Sequence, residues 1–104
     1  MAFDGNEGSQ ITLTQGAALT KQYRKENPAP TTTLAHFFGR NILLQLLNQP
    51  ECMGIRMYYG INSEGKKQLV LVGAKADEND MLELVVDMSV PCPTRCSSTN
   101  VLNS

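Results

Sequence analysis

The segment Cys52–Ala76 constrains the fold more than any other part of this 104-residue chain. Apolar side chains occupy alternate positions in its first half, at Met53, Ile55, Met57 and Tyr59. This alternation is typical of a β-strand, in which successive side chains point to opposite faces. Asn62–Gly65 has turn chemistry, and Gly65 suits a positive φ. The returning half is apolar at every position of Leu69–Val72, which predicts a central strand covered on both faces.

A third strand is predicted at Met81–Met88, where apolar and polar positions again alternate. The polar run Asp77–Asp80 before it is a second turn. Because short connections favour antiparallel neighbours, the three strands are predicted to form a meander, with the third strand at an edge.

Two helices are predicted before the strands. Ile11–Asn27 carries a partial apolar stripe, and Thr12 or Thr14 could cap its start. Pro28 ends this helix, because proline disfavours the α conformation in the residue before it.

The second helix is predicted over Leu34–Gln49, where apolar residues recur at three- and four-residue steps around more than one face. Pro50 ends it. Gly39 interrupts the pattern early, which leaves open a regular helix that begins near Gly39–Arg40, with Leu34–Phe38 as a separate turn.

The order of these elements predicts an α+β protein: two N-terminal helices, a three-stranded antiparallel meander and an irregular C-terminal tail that holds prolines and cysteines. Residues 1–10 are small and polar, and we expect a flexible N-terminal arm there. Residues 11–90 are expected to form a single α+β domain. Residues 91–104 are expected to be irregular, because Pro91 and Pro93 interrupt any regular element.

The charge distribution argues against nucleic acid as a partner. Nine basic and ten acidic residues give a net charge of −1, and the basic residues form only small groups. Nucleic-acid-binding proteins gather several Lys and Arg on one face. A net charge so close to zero gives little repulsion between copies, so we expect a protein partner or a second copy, as in a homodimer.

The chain is predicted to be cytoplasmic, without a membrane partner. No apolar run approaches the roughly 20 residues of a membrane span. The first residues carry neither the positive nor the apolar region of a secretory signal. An odd number of cysteines also fits reduced thiols better than a disulfide framework.

A family resemblance covers about Ile42–Val72. A leucine-rich helix, the link Pro50-Glu51-Cys52 and a strand–turn–strand resemble the opening of profilin-like and roadblock-type modules. That resemblance implies a module that dimerises, scaffolds complexes or senses small ligands. The chain also resembles small uncharacterised bacterial proteins in the segments YRKENP, FFGRNILLQLL, CMGIRMYYG, LVLVG, END and CPTRC, which implies no activity and no site residue.

The candidates for a metal or thiol site are His36, Cys52, Cys92 and Cys96. Three thiolates and one imidazole would complete a tetrahedral zinc site. The CxxxC spacing of the last two cysteines differs from the usual CxxC, so buried structural thiols are the favoured interpretation. A disulfide between Cys92 and Cys96 is a lesser alternative, since the cytosol seldom keeps one. A nucleophilic set of Cys52, His36 and Asp87 has no supporting spacing, so no catalytic residue and no cofactor are predicted.

Arg56 and Tyr58 are the candidate residues for binding a ligand or a partner. Both project from one face of the first strand, between Gly54 and Gly60. An arginine fork beside an aromatic ring, with little bulk around it, could receive a carboxylate, a phosphate or a peptide strand. The favoured interpretation is an ordinary surface on which Arg56 pairs with Glu83 across strands.

These observations predict a small non-catalytic interaction or scaffold module that self-associates through the sheet edge or the wide apolar helix. One alternative is a ligand-sensing domain with a pocket between helix and sheet near Arg56 and Tyr58. Another is a zinc- or thiol-dependent protein that uses the histidine and the three cysteines.

Overall fold

The structure, a computed structural model, describes residues 2–104. Over these residues it has two helices and five strands, which are α1 (Leu13–Glu26), β1 (Ala35–Phe37), α2 (Arg40–Leu47), β2 (Cys52–Ile61), β3 (Lys67–Lys75), β4 (Asp80–Val86) and β5 (Val90–Cys92). Neither helix in this part of the chain has the length and apolar character that crossing a membrane requires.

The predicted order of elements is wrong, although the content is α+β. β1 lies between the two helices, and β1 and β5 form a second, two-stranded sheet. The chain is therefore not two helices followed by one meander and an irregular tail.

The error arises at Leu34–Phe38, which the apolar pattern placed in a helix or a separate turn. Gly39 is the N-cap of α2 and has an extended backbone, so the helix begins at Arg40 and does not include Leu34–Phe38. Leu34 N–H donates to the Cys92 carbonyl at 2.7 Å, and β1 pairs with β5. Pro91 lies within β5, a position that proline tolerates because both strands of this sheet are edge strands.

The chain divides into two compact units. The sheet unit comprises residues 2–7 and 37–89, and the α1 unit comprises residues 8–36 and 90–104. The predicted flexible arm, residues 1–10, includes Met1, which lies outside the described residues. Within the sheet unit, Phe3 N–H donates to the Ala76 carbonyl at 2.8 Å.

The sheet unit is built on an antiparallel sheet with the order β2-β3-β4. β3 is the central strand, which corresponds to the apolar run on both faces of Leu69–Val72. Met57 pairs with Leu71, and Leu71 pairs with Val86. The β2 ladder shifts by a bulge between Cys52 and Gly54, close to its start.

The core of the sheet unit lies between α2 and one face of this sheet. Leu46 and Leu71 are fully buried, and Val86 is nearly so. Partly buried apolar residues pack around these three, namely Phe38, Ile42, Leu43, Ile55, Leu69 and Leu84. α2 has only eight residues, so it covers part of the sheet and leaves the far end of β2 open.

The α1 unit begins with a capping box. Gln15 N–H donates to Thr12 Oγ1 at 3.1 Å, and Thr12 N–H donates to Gln15 Oε1 at 2.9 Å, which confirms Thr12 as the cap. Near the other end of α1, Arg24 donates to the carbonyls of Leu102 and Ser104 at 2.7 and 2.6 Å. These bonds tie the last residues of the chain to the helix.

Candidate functional site

Arg56 and Tyr58 lie on the sheet face opposite α2. They pair with Val72 and Val70 of β3, whereas the intervening Met57 pairs with the core residue Leu71. Successive side chains of a strand point to opposite faces, so the two candidate residues share one face, as their spacing predicts.

Both side chains converge on one carboxylate, Asp80 at the start of β4. Arg56 Nη1 forms an ion pair with Asp80 Oδ1, and the Tyr58 hydroxyl donates to Asp80 Oδ2. Arg56 Nη1 also donates to the Glu78 carbonyl at 3.0 Å. The cross-strand ion pair of Arg56 therefore exists, but its partner is Asp80 and not Glu83.

A register shift in the β3–β4 ladder explains the change of partner. Leu71 pairs with Val86 and Val72 with Val85, and this register, if continued, would set Ala74 opposite Glu83. The ladder shifts after Val72, and Ala74 pairs with Asp80. The shift thus brings Asp80 to the place that the regular alternation assigns to Glu83.

The three groups move one another's pKa values away from neutral pH. The hydrogen bond from Tyr58 is the main cause of a lowered pKa at Asp80; desolvation opposes it, and the hydrogen bond and charge of Arg56 lower the pKa further. The hydrogen bond to Asp80 raises the pKa of Tyr58 and also that of Arg56. A general acid or base works best with a pKa near the working pH, so this cluster suits binding and positioning rather than proton transfer.

Phe3 completes the cluster from a distant part of the sequence. Its ring centroid lies 5.4 Å from Cζ of Arg56, within the range of a cation–π contact. Sequence reasoning missed both Phe3 and Asp80. The acidic turn before β4 carries a weak signal for Asp80, whereas no local pattern links Phe3 to Arg56, more than fifty positions away.

A cavity of about 450 Å³ lies beside Arg56 within the sheet unit. Its lining includes the apolar side chains of Phe3, Leu47, Met53 and Ile55 and the charged side chains of Arg56 and Glu7. Of the two predicted binding residues, Arg56 lines this cavity, and Tyr58 is not part of the lining.

The predicted metal and thiol candidates are not assembled into one site. Cys92 and Cys96 form a disulfide, with their Cα atoms 4.9 Å apart. Cys52 is a free, half-buried thiol whose Sγ donates to the Gly54 carbonyl at 3.2 Å. His36 lies in β1. Among residues 2–104, no group of three or more His, Cys, Asp or Glu side chains is placed to hold a metal ion.

The edge strand β2 carries an exposed stripe of apolar side chains on one face. Met57, Tyr59 and Ile61 lie on one face at alternate positions, with 54 %, 94 % and 74 % of their surface exposed. β2 pairs with β3 on one side, and its residues from Met53 to Ile61 make no other backbone–backbone hydrogen bond with residues 2–104. The strand therefore offers both side chains and backbone groups to another molecule.

Comparison with known proteins gives no match, whether to family models, to curated proteins or to solved structures. The resemblance to profilin-like and roadblock-type modules stays an expectation.

Proposed function

We propose that this protein is a small non-catalytic interaction module that self-associates through the outer edge of β2. The carrying observation is the exposed apolar stripe of Met57, Tyr59 and Ile61 on a strand whose outer edge is unpaired in residues 2–104. Large apolar side chains so exposed on a sheet edge are typical of an interaction site.

The backbone of β2 supports the same proposal. In an edge strand, half of the N–H and C=O groups point away from the neighbouring strand and can pair with an added strand. Folded proteins usually protect such edges with proline, bulges or charged side chains. The stretch Ile55–Ile61 has no proline or bulge, and its one charged residue, Arg56, is paired with Asp80.

A second copy fits this edge by symmetry. Two β2 strands that pair antiparallel about Tyr59 would set Met57 of each copy against Ile61 of the other. Such a two-fold contact is the commonest form of homodimer, because one patch serves both copies. The net charge of −1 adds little repulsion.

The exposed area sets the expected strength. Full burial of one large apolar side chain contributes about 1.5–3 kcal/mol, so burial of the exposed parts of these three contributes about 3–7 kcal/mol per protomer. Association costs about 4–15 kcal/mol in lost translational and rotational freedom. The two contributions are of similar size, so we expect a weak dimer that depends on concentration rather than a permanent one.

Sedimentation equilibrium over a wide concentration range tests the proposal. Ile61→Lys is expected to weaken dimerisation at least tenfold, because it sets a charged side chain against the apolar Met57 of the other copy at both ends of the strand pair. The matched control is Leu82→Lys on β4, since Leu82 and Ile61 are 73 % and 74 % exposed. A wild-type protein that stays monomeric, or a control that dissociates as readily as Ile61→Lys, would contradict self-association through β2.

For the compartment, we propose the cytoplasm, on the sequence features given above. The Cys92–Cys96 disulfide bears on this proposal, because disulfides persist mainly in oxidising compartments. The redox state of these two cysteines inside cells is therefore the measurement that decides it.

A further inference from the structure

We propose that the cavity beside Arg56 binds a small zwitterion with an apolar side chain, either a free amino acid or a short peptide of such residues. This site is separate from the exposed stripe on β2, and the proposal does not rest on self-association. Four features of the sheet unit carry it: the size of the cavity, an open glycine, a cation and an anion.

The size and lining of the cavity suit a small organic molecule. Its volume of about 450 Å³ falls within the range of about 300–1,000 Å³ that is usual for small-ligand sites. Phe3, Leu47, Met53 and Ile55 contribute apolar surface. An apolar side chain is the part of a ligand that such walls favour, because its burial removes apolar area from water.

Gly54 keeps the cavity open. Apart from its two chain neighbours, no atom of residues 2–104 would lie within 4 Å of a Cβ added at this position, although Gly54 lies in strand β2 and lines the cavity. Its φ is not in the left-handed region, so larger residues can adopt its backbone conformation. The glycine thus leaves room that a larger side chain would fill without strain in the backbone.

Arg56 supplies the cation. Its hydrogen bonds to Asp80 and to the Glu78 carbonyl both use Nη1. A guanidinium presents five N–H donors in a fixed fork, so Nε and Nη2 can bind a carboxylate while Nη1 keeps its bonds. Phe3 and Asp80 hold the guanidinium from two sides, so little ordering remains to be done on binding.

Glu7 supplies the anion. Its two carboxylate oxygens accept the backbone N–H groups of Asp4 and Gly5, each at 3.0 Å, and these bonds orient this cavity-lining side chain. Each oxygen keeps capacity for a further donor. The α-ammonium of an amino acid or peptide is such a donor.

The balance of charge favours a zwitterion over a simple anion. Arg56 carries one positive charge, while Asp80 and Glu7 each carry a negative one, so the three side chains together have a charge of −1. A phosphate or a plain carboxylate would be repelled by this excess. A zwitterion adds no net charge and can place its carboxylate at Arg56 and its ammonium at Glu7.

Isothermal titration of the full chain with four probes tests the ligand chemistry. L-leucine and L-leucyl-L-leucine carry both charged ends, whereas N-acetyl-L-leucine lacks the ammonium and L-leucine amide lacks the carboxylate. We expect at least one of the first two to bind, and each single-ended probe to bind at least tenfold more weakly. The tighter of the first two identifies a free amino acid or a peptide as the ligand.

Variants of the cavity test its location. Gly54→Leu is expected to abolish binding, whereas Gly60→Leu on the same strand is expected to retain it, because Gly60 does not line the cavity and an added Cβ there makes only ordinary contacts at 3.8 Å. Arg56→Gln and Glu7→Gln should each weaken binding at least tenfold and provide the test if Gly54→Leu does not fold. Equal binding of N-acetyl-L-leucine, no binding of any probe at millimolar concentration, or full binding by Gly54→Leu would overturn the proposal.

Discussion

Among the glycines of the sheet unit, Gly73 in the central strand is the one where an added methyl group meets the closest neighbours. An added Cβ would lie 2.8 Å from Gln49 Nε2, 3.0 Å from Cys52 Sγ and 3.2 Å from Met81 Sδ. Gly73 also lies where the β3–β4 register shifts, which sets the partner of Arg56. The substitution Gly73→Ala therefore tests the packing that builds the candidate site.

The expected cost follows from these three contacts. The Gln49 amide already donates to the Leu46 carbonyl at 3.0 Å, and Cys52 Sγ donates to the Gly54 carbonyl, so neither neighbour moves without losing a bond. Overpacking of this kind costs about 1–3 kcal/mol. The lower chain entropy of alanine in the unfolded state returns about 0.4–1 kcal/mol. The central values, about 2 and about 0.7 kcal/mol, leave a net loss of unfolding free energy of about 1.3 kcal/mol, or about 5–10 °C in Tm.

Urea unfolding followed by circular dichroism measures this loss, with an unchanged m-value as the sign that the unfolding transition itself is unaltered. Gly54→Ala and Gly60→Ala are the matched controls, because an added Cβ at either position has room. Both should be neutral or slightly stabilising. If Gly73→Ala proves as stable as Gly60→Ala, the close packing around Gly73 is refuted.

Two further predictions concern titration and thiols. Because the folded pKa of Asp80 lies below its ordinary value of 3.8, ionised Asp80 adds stability above that pH, and this is lost as pH falls through the lower folded pKa. In the Asp80→Asn variant, the urea concentration at the midpoint of unfolding should therefore fall less steeply as the pH is lowered below about 4. An equally steep fall in the variant would contradict the contacts of Asp80 with Tyr58 and Arg56. In purified, air-oxidised protein, alkylation before reduction should label Cys52 alone. When intact cells are treated with the same reagent, alkylation of Cys92 and Cys96 supports a cytoplasmic location. Protection of these two cysteines from alkylation contradicts that location.

The candidate site was only half accessible from the sequence. The spacing of Arg56 and Tyr58 predicts that they share a face, because alternation in a strand is a local property. Regular alternation also assigns a cross-strand carboxylate, but it names Glu83, since alternation alone does not encode the register shift between Val72 and Gly73. The contact of Phe3 with Arg56 and the lining of the cavity bring together residues that are far apart in sequence, and the periodicity within a strand does not encode such contacts.

The sequence by itself determined the strands β2, β3 and β4, and it left open whether α2 begins at Leu34 or near Gly39–Arg40. Alternation, the turn at Asn62–Gly65 and the break at Gly39 act on neighbouring residues, so they operate before any tertiary contact forms. Only the tertiary structure decided that β1 is a strand, because its partner β5 lies more than fifty residues later. It likewise decided that Asp80 meets Arg56 and Tyr58, since the register shift between Val72 and Gly73 sets Asp80 opposite Ala74.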